Sequence, residues 1–147
     1  DYVKENNALA AVVLNRPPGH LANNTICIFN NIAVGAHYAL NKYDIERILI
    51  VDCDAHHGKH TQQVFYRSPK VVYFSMHIDG EYAKESGMVE NDGEEDGKGY
   101  TFNIPYPPNM GDEGYELIID SLLVPVAYDF QPQLILLSAG FDGHFND

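Results

Sequence analysis

The segment Ile48-Leu49-Ile50-Val51-Asp52-Cys53-Asp54-Ala55-His56-His57-Gly58 runs from an apolar stretch straight into carboxylates and imidazoles. Two-residue alternation puts Asp52, Asp54 and His56 on one side of an extended chain. They are expected to converge at the carboxyl end of a strand, which is where open α/β sheets bind ligands. Carboxylate and imidazole at this spacing suit a divalent metal ion. A strand that ends in ordinary polar turn residues is the competing possibility. Two carboxylates and two imidazoles within six positions argue against it.

A second run, Leu134-Ile135-Leu136-Leu137-Ser138-Ala139-Gly140-Phe141-Asp142, repeats the arrangement with a single carboxylate at its tip. Asp54, His56 and Asp142 would leave one position open on a tetrahedral divalent ion, the mark of a catalytic rather than a structural zinc site. Two negative ligands also cancel the charge of the ion, so water bound there is acidified less than in an all-histidine site and needs a nearby base. The candidate base is His20, in Asn15-Arg16-Pro17-Pro18-Gly19-His20-Leu21-Ala22. Asp52, not needed as a ligand, is placed to accept a hydrogen bond from His20 and keep its second nitrogen aimed at the water. Alone, a histidine after Pro-Pro-Gly reads as a surface turn residue. The neighbouring metal motif reverses that reading.

These residues need a scaffold, and the chain supplies an alternation of β-branched apolar runs with helix-period stretches, the pattern of βαβ units around a parallel sheet. Strands are expected at Leu9 to Leu14, Arg47 to Asp52, Val71 to His77, Tyr100 to Ile104 and Leu134 to Ser138. Helices are expected over Asn31 to Asn41 and over Asp112 to Phe130, with Pro125 kinking the second or ending it early. Asp79 to Asp96, with eight acidic residues, is expected to be a loop.

The 147 residues carry 9 Lys+Arg against 21 Asp+Glu, a net charge of -12. That deficit of cations excludes a general nucleic-acid or anionic-membrane binder. No apolar run reaches membrane-spanning length and no signal segment is visible, which points to an intracellular protein, cytoplasmic or nuclear. Cys27 and Cys53 lie in apolar stretches and read as buried free thiols. No repeat or low-complexity linker divides the chain, so residues 1–147 are expected to be one α/β domain. It begins without Met and stops soon after a strand, so the domain is expected to be incomplete.

The runs Arg16-Pro-Pro-Gly-His20, Cys27-Ile-Phe-Asn-Asn31, Val51-Asp-Cys-Asp-Ala-His-His-Gly58, Val72-Tyr-Phe-Ser-Met-His77 and Ser138-Ala-Gly-Phe-Asp142 resemble the zinc-dependent histone deacetylase family. That family also includes acetylpolyamine amidohydrolases and acetoin-utilisation proteins, and the wording is closest to its class II branch. The resemblance implies an arginase-like parallel sheet with helices on both faces, and hydrolysis of an acetyl amide by a zinc-bound water. It makes Asp54, His56 and Asp142 the Zn2+ ligands, one ion per chain, with Asp52 orienting His20, the first of a His-His pair. It also suggests a K+ ion near Asp52, Asp54, His56, Ser75 and Met76. The implied partners are an acetylated lysine protein or an acetylated polyamine.

The chain departs from the family in several places. The second histidine of the pair is Leu21, and the carboxylate or amide that supports it is Lys59. The tunnel-lining Phe is Ile26, and the loop after His77 is shortened to Tyr82-Ala-Lys-Glu-Ser-Gly87, which makes Ile26 and Gly87 the substrate-binding candidates. The tyrosine that polarises the acetyl carbonyl would lie beyond Asp147. General acid/base help is worth about a hundred to ten thousandfold in rate. The leading expectation is therefore a zinc-dependent amide hydrolase, with a catalytically impaired binding or assembly module as the alternative. A two-manganese arginase-type enzyme fits less well, because it needs an aspartate where this chain has Gly58. The acidic loop is either a solvated surface or a recruiter of basic tails.

Overall fold

The computed structural model describes residues 1–14, 16–22, 27–80, 86–144 and 146–147. The elements are α1 (Tyr2–Glu5), α2 (Asn31–Lys42), β1 (Ile48–Asp52), α3 (Lys59–Phe65), β2 (Val71–Ile78), β3 (Thr101–Tyr106), α4 (Asp112–Ile118), α5 (Val124–Phe130) and β4 (Leu134–Ser138). The four strands form one parallel sheet in the order β3-β2-β1-β4. β1 is buried along its whole length, as expected of an Ile/Leu/Val run covered on both faces.

One face carries Ile48, Ile50, Val71 and Tyr73 against Ala33, Ala36 and Ala39 of α2 and Phe65 of α3. The other carries Leu49, Val51, Val72, Phe74 and Met76 against Ile118, Leu123, Val126 and Phe130. Helix α2 starts where the Asn30 side chain accepts the Ala33 N–H at 3.0 Å, a standard N-cap. Its three alanines let it sit close to the sheet.

The chain fills the sheet from β1 towards β3 and then returns to the far side of β1 for β4. The carboxyl ends of β1 and β4 thus flank the point where the winding reverses, the usual place for a ligand crevice in such sheets. Register sharpens this, since Asp52 lies level with Ser138 on one side and with Ser75 on the other.

Several expectations need correction. Leu9 to Leu14 is not a strand: it is irregular, and Leu9, Val12, Val13 and Leu14 are exposed. An apolar β-branched run becomes a strand only where a neighbour takes its backbone hydrogen bonds, and none of the four strands pairs with it. β3 extends past Ile104 through Pro105 to Tyr106. Proline is tolerated there because β3 is an edge strand. The long helix does not stop before Pro125. It runs from Asp112 to Phe130 through a π-helical turn, Ile119–Leu123, directly ahead of the proline, which accommodates the missing N–H and the ring. Helix α3 was not expected, because the residues it buries include Thr61 and Gln62 rather than an apolar stripe. Within Asp79 to Asp96 the described residues, 79–80 and 86–96, are loop apart from a 3-10 turn at Glu95–Gly97, and residues 81–85 lie outside the described residues. Cys27 is buried and Cys53 half-buried, both free.

Candidate metal centre

The loops that leave β1 and β4 are tied by backbone. Cys53 N–H donates to the Ser138 carbonyl at 3.1 Å, and Ala55 N–H donates to Asp142 Oδ1 at 3.0 Å. Gly140 sits so close to Asp54 that a Cβ on it would lie 2.4 Å from Asp54 Oδ2 and 2.6 Å from Asp54 Cα. A side chain there would push the two loops apart.

This fastening brings Asp54, His56 and Asp142 together, with one donor atom of each lying within 4.8 Å of the others. His56 Nδ1 is 3.2 Å from Asp54 Oδ1 and 2.8 Å from Asp142 Oδ2. Donors on a tetrahedral ion with bonds of about 2.0–2.1 Å lie about 3.3 Å apart, so both separations from His56 are near those of ligands on a small divalent cation. Burial pushes the Asp54 carboxyl above its usual range; His20 pulls against this and the like charge of Asp142 adds to it. Burial acts the same way on Asp142, but the Ala55 N–H and its contacts with Asp54 and His56 hold it lower. The backbone thus forces two carboxylates into one small space, which a cation relieves.

Behind the cluster lies His20, only 3% exposed, with Nδ1 3.0 Å from Asp52 Oδ2 and Nε2 3.4 Å from Asp54 Oδ2. Its loop is held by the His60 N–H, which donates to the His20 carbonyl at 3.2 Å, and by Asn31 Nδ2, which donates to the Pro17 carbonyl at 3.1 Å. Burial alone would lower the His20 pKa, but the hydrogen bond to Asp52 and the charges of Asp52, Asp54 and Asp142 raise it overall. Asp52 is not in the Asp54-His56-Asp142 group and faces His20 instead. Burial, reinforced by Asp52 and Asp54, raises the Cys53 thiol pKa, the opposite of the shift that activates a thiol.

The other expected residues fall as follows. Ser75 is buried and its hydroxyl pairs with His77 Nδ1 at 2.8 Å, while the Met76 side chain packs on the opposite face of the sheet. Gly87 is buried and its carbonyl accepts from His77 Nε2 at 2.9 Å. Ile26 and Tyr82 lie outside the described residues. Leu21 and Lys59 are both half-buried, and Leu21 brings no titratable group beside His20.

The Histone deacetylase domain family matches residues 1–147. The chain belongs to the histone deacetylase family. A "Probable deacetylase" of Archaeoglobus fulgidus is 46% identical over 145 residues, covering 96% of this chain and 39% of that protein. "Polyamine deacetylase HDAC10" of Rattus norvegicus is 41% identical over 145 residues, covering 92% and 25%. The crystal structure of the HDA15 HD domain superposes with a TM-score of 0.84 at 35% identity, covering 90% of this chain and 40% of that one. The chain therefore spans well under half the length of these members of the family. Among the described residues, no helix is long and apolar enough to cross a membrane.

Three residues that shape the site carry no local sequence signal of their own. Gly140 and Gly58 are close-approach glycines, and a Cβ on Gly58 would lie 2.4 Å from Asp52 Oδ2 and 2.5 Å from Tyr73 Oη. Tyr73 reads as one more aromatic in a buried strand, although the two-residue period puts it on the same face as Ser75, level with Asp52.

Proposed function

We propose that this chain carries the metal-binding half of a zinc-dependent deacetylase, which hydrolyses the acetyl amide of an acetylated lysine or a small acetylated polyamine. The convergence of Asp54, His56 and Asp142 in front of the His20–Asp52 pair is the observation that carries the reading. A zinc ion held by those three residues supplies Lewis acidity, which polarises a carbonyl and acidifies water.

The chain's own residues do the rest. Asp52 holds His20 with Nδ1 protonated, so the lone pair on Nε2 faces the Asp54 side of the site. His20 takes the proton from the attacking water and returns it to the departing amine. Ile26 and Gly87 are the candidates for contact with the acyl chain. A K+ ion against Asp52, Asp54, His56, Ser75 and Met76 belongs to the same reading. Residues 1–147 act as part of one domain.

Metal analysis and turnover test this directly. The full-length protein should hold close to one divalent ion per chain and release acetate from an acetyl-lysine peptide or an acetylated polyamine. His20→Ala should keep the metal and lose at least about a hundredfold in kcat. A folded protein that takes up no metal would overturn the reading.

Leu21 and Lys59 favour a second reading, in which the protein binds metal and acetylated ligand but turns over poorly. The variant Leu21→His with Lys59→Asn separates the two. Similar rates in both proteins support His20 as sufficient, whereas activity confined to the variant supports the binding module.

A further inference from the structure

Asp52 is 1% exposed, and its Oδ2 has two partners. His20 Nδ1 lies at 3.0 Å and the Tyr73 hydroxyl at 3.0 Å. Among the described residues, the other oxygen, Oδ1, receives only the Asp54 N–H at 3.4 Å. A carboxylate turns in a broad two-fold well about its last torsion, so one contact to a histidine on a turn does not fix its plane. Tyr73 differs from His20 in what carries it. It stands on β2, a strand buried along nearly all its length and paired on both sides.

Burial, together with the charge of Asp52, pushes the Tyr73 phenol well above its usual range, so the hydroxyl keeps its proton and donates. The Gly58 carbonyl, at 3.3 Å, is the weaker acceptor within reach. A charged acceptor at the shorter distance takes the hydrogen. Gly58 also leaves the space in which the hydroxyl, the carboxylate and the imidazole meet.

We infer that Tyr73 is a positioning residue: its hydroxyl fixes the Asp52 carboxylate, which in turn holds the His20 ring with Nε2 turned to the Asp54 side of the site. The inference rests on the reading of His20 as the base. Because Leu21 brings no second imidazole beside His20, a loose Asp52 has no substitute there.

The test is Tyr73→Phe in the full-length protein, read first without metal. The Nδ1 proton of His20, identified by its loss in His20→Ala, should give a low-field NMR signal that exchanges slowly with solvent. In Tyr73→Phe that signal should move and exchange about tenfold faster. In the metal-loaded enzyme, kcat should fall about tenfold with KM within about twofold, while metal content stays constant. Incorporating 3-fluorotyrosine at position 73 keeps the ring and the hydroxyl and should shift the same signal by a smaller amount, so the inference stays testable if the phenylalanine variant is unstable. An unmoved signal, or a moved signal with unchanged kcat, overturns the role of Tyr73. Full activity in His20→Ala would instead overturn the underlying mechanism, and the NMR measurement tells the two failures apart.

Discussion

Asp142 Oδ1 accepts the Ala55 N–H at 3.0 Å, so a carboxylate from the β4 loop is pinned to the backbone of the β1 loop. The other oxygen, Oδ2, is left for the cluster, 2.8 Å from His56 Nδ1. The same side chain serves as strut and as candidate ligand.

Replacement of Asp142 separates these roles. Asp142→Ala should lower zinc affinity by more than the roughly 10–100-fold that loss of a supporting contact costs. Asp142→Asn keeps an oxygen to accept from Ala55 and should spare thermal stability while still weakening the metal. Calorimetric titration with zinc beside a melting curve checks both.

Gly140→Ala introduces a methyl group against the backbone and side chain of Asp54 rather than against a flexible tip. Overpacking of this kind costs about 1–3 kcal/mol. A lower melting temperature together with reduced metal content is expected. A variant with full metal content and unchanged melting would contradict the fastening of the two loops.

His57 and His77 lie ring to ring in a buried polar group, their centroids 4.7 Å apart and their planes tilted by 51°. His57 faces Gln62 and Ser86 as well as Tyr73, and His77 faces Ser75 and the Gly87 carbonyl. Burial, then the charge of the neighbouring His77, lowers the His57 pKa from 6.5 to about 4. Burial lowers that of His77 as well. Between pH 4 and 6.5 the unfolded chain therefore binds protons that the folded chain refuses. Stability should be complete above about pH 6.5 and decline as the pH falls towards 4, with His57 alone contributing on the order of 3 kcal/mol. Urea midpoints measured across that window check the slope, and a flat profile would refute it.

Asn30 has two tasks. Its Oδ1 caps α2 by accepting the Ala33 N–H, and its Nδ2 donates to Thr61 Oγ1 at 2.9 Å, linking α2 to α3. Asn30→Ala should cost about 1–2 kcal/mol. Asn30→Asp retains the cap but loses the donor and should fall between the two in chemical denaturation.

How much of this is legible beforehand differs from residue to residue. β1 and β4 can be read because continuous apolar runs mark strands covered on both faces. Asp54, His56 and Asp142 stand out because each follows such a run. Leu9 to Leu14 carries the same local signal yet stays irregular, since pairing depends on a neighbour that no local pattern encodes. α3 escapes because its buried Thr61 and Gln62 are satisfied by Asn30 and by His57 and Asn103, a polar packing without hydrophobic period. The His20–Asp52 contact spans 32 positions and can be reached through its chemistry. The Tyr73 hydroxyl bond cannot, because a buried aromatic is already accounted for by the core.

The outer rim of β4 bears a practical consequence. Among the described residues no strand covers that rim, and Ile135 and Leu137 are bare on the adjoining sheet face, while Leu9, Val12, Val13 and Leu14 are exposed elsewhere on the surface. Unsatisfied amides beside naked aliphatics are a template for whatever extended peptide drifts past. Produced by itself, this 147-residue stretch should be adhesive and should form soluble aggregates or inclusion bodies before it forms crystals.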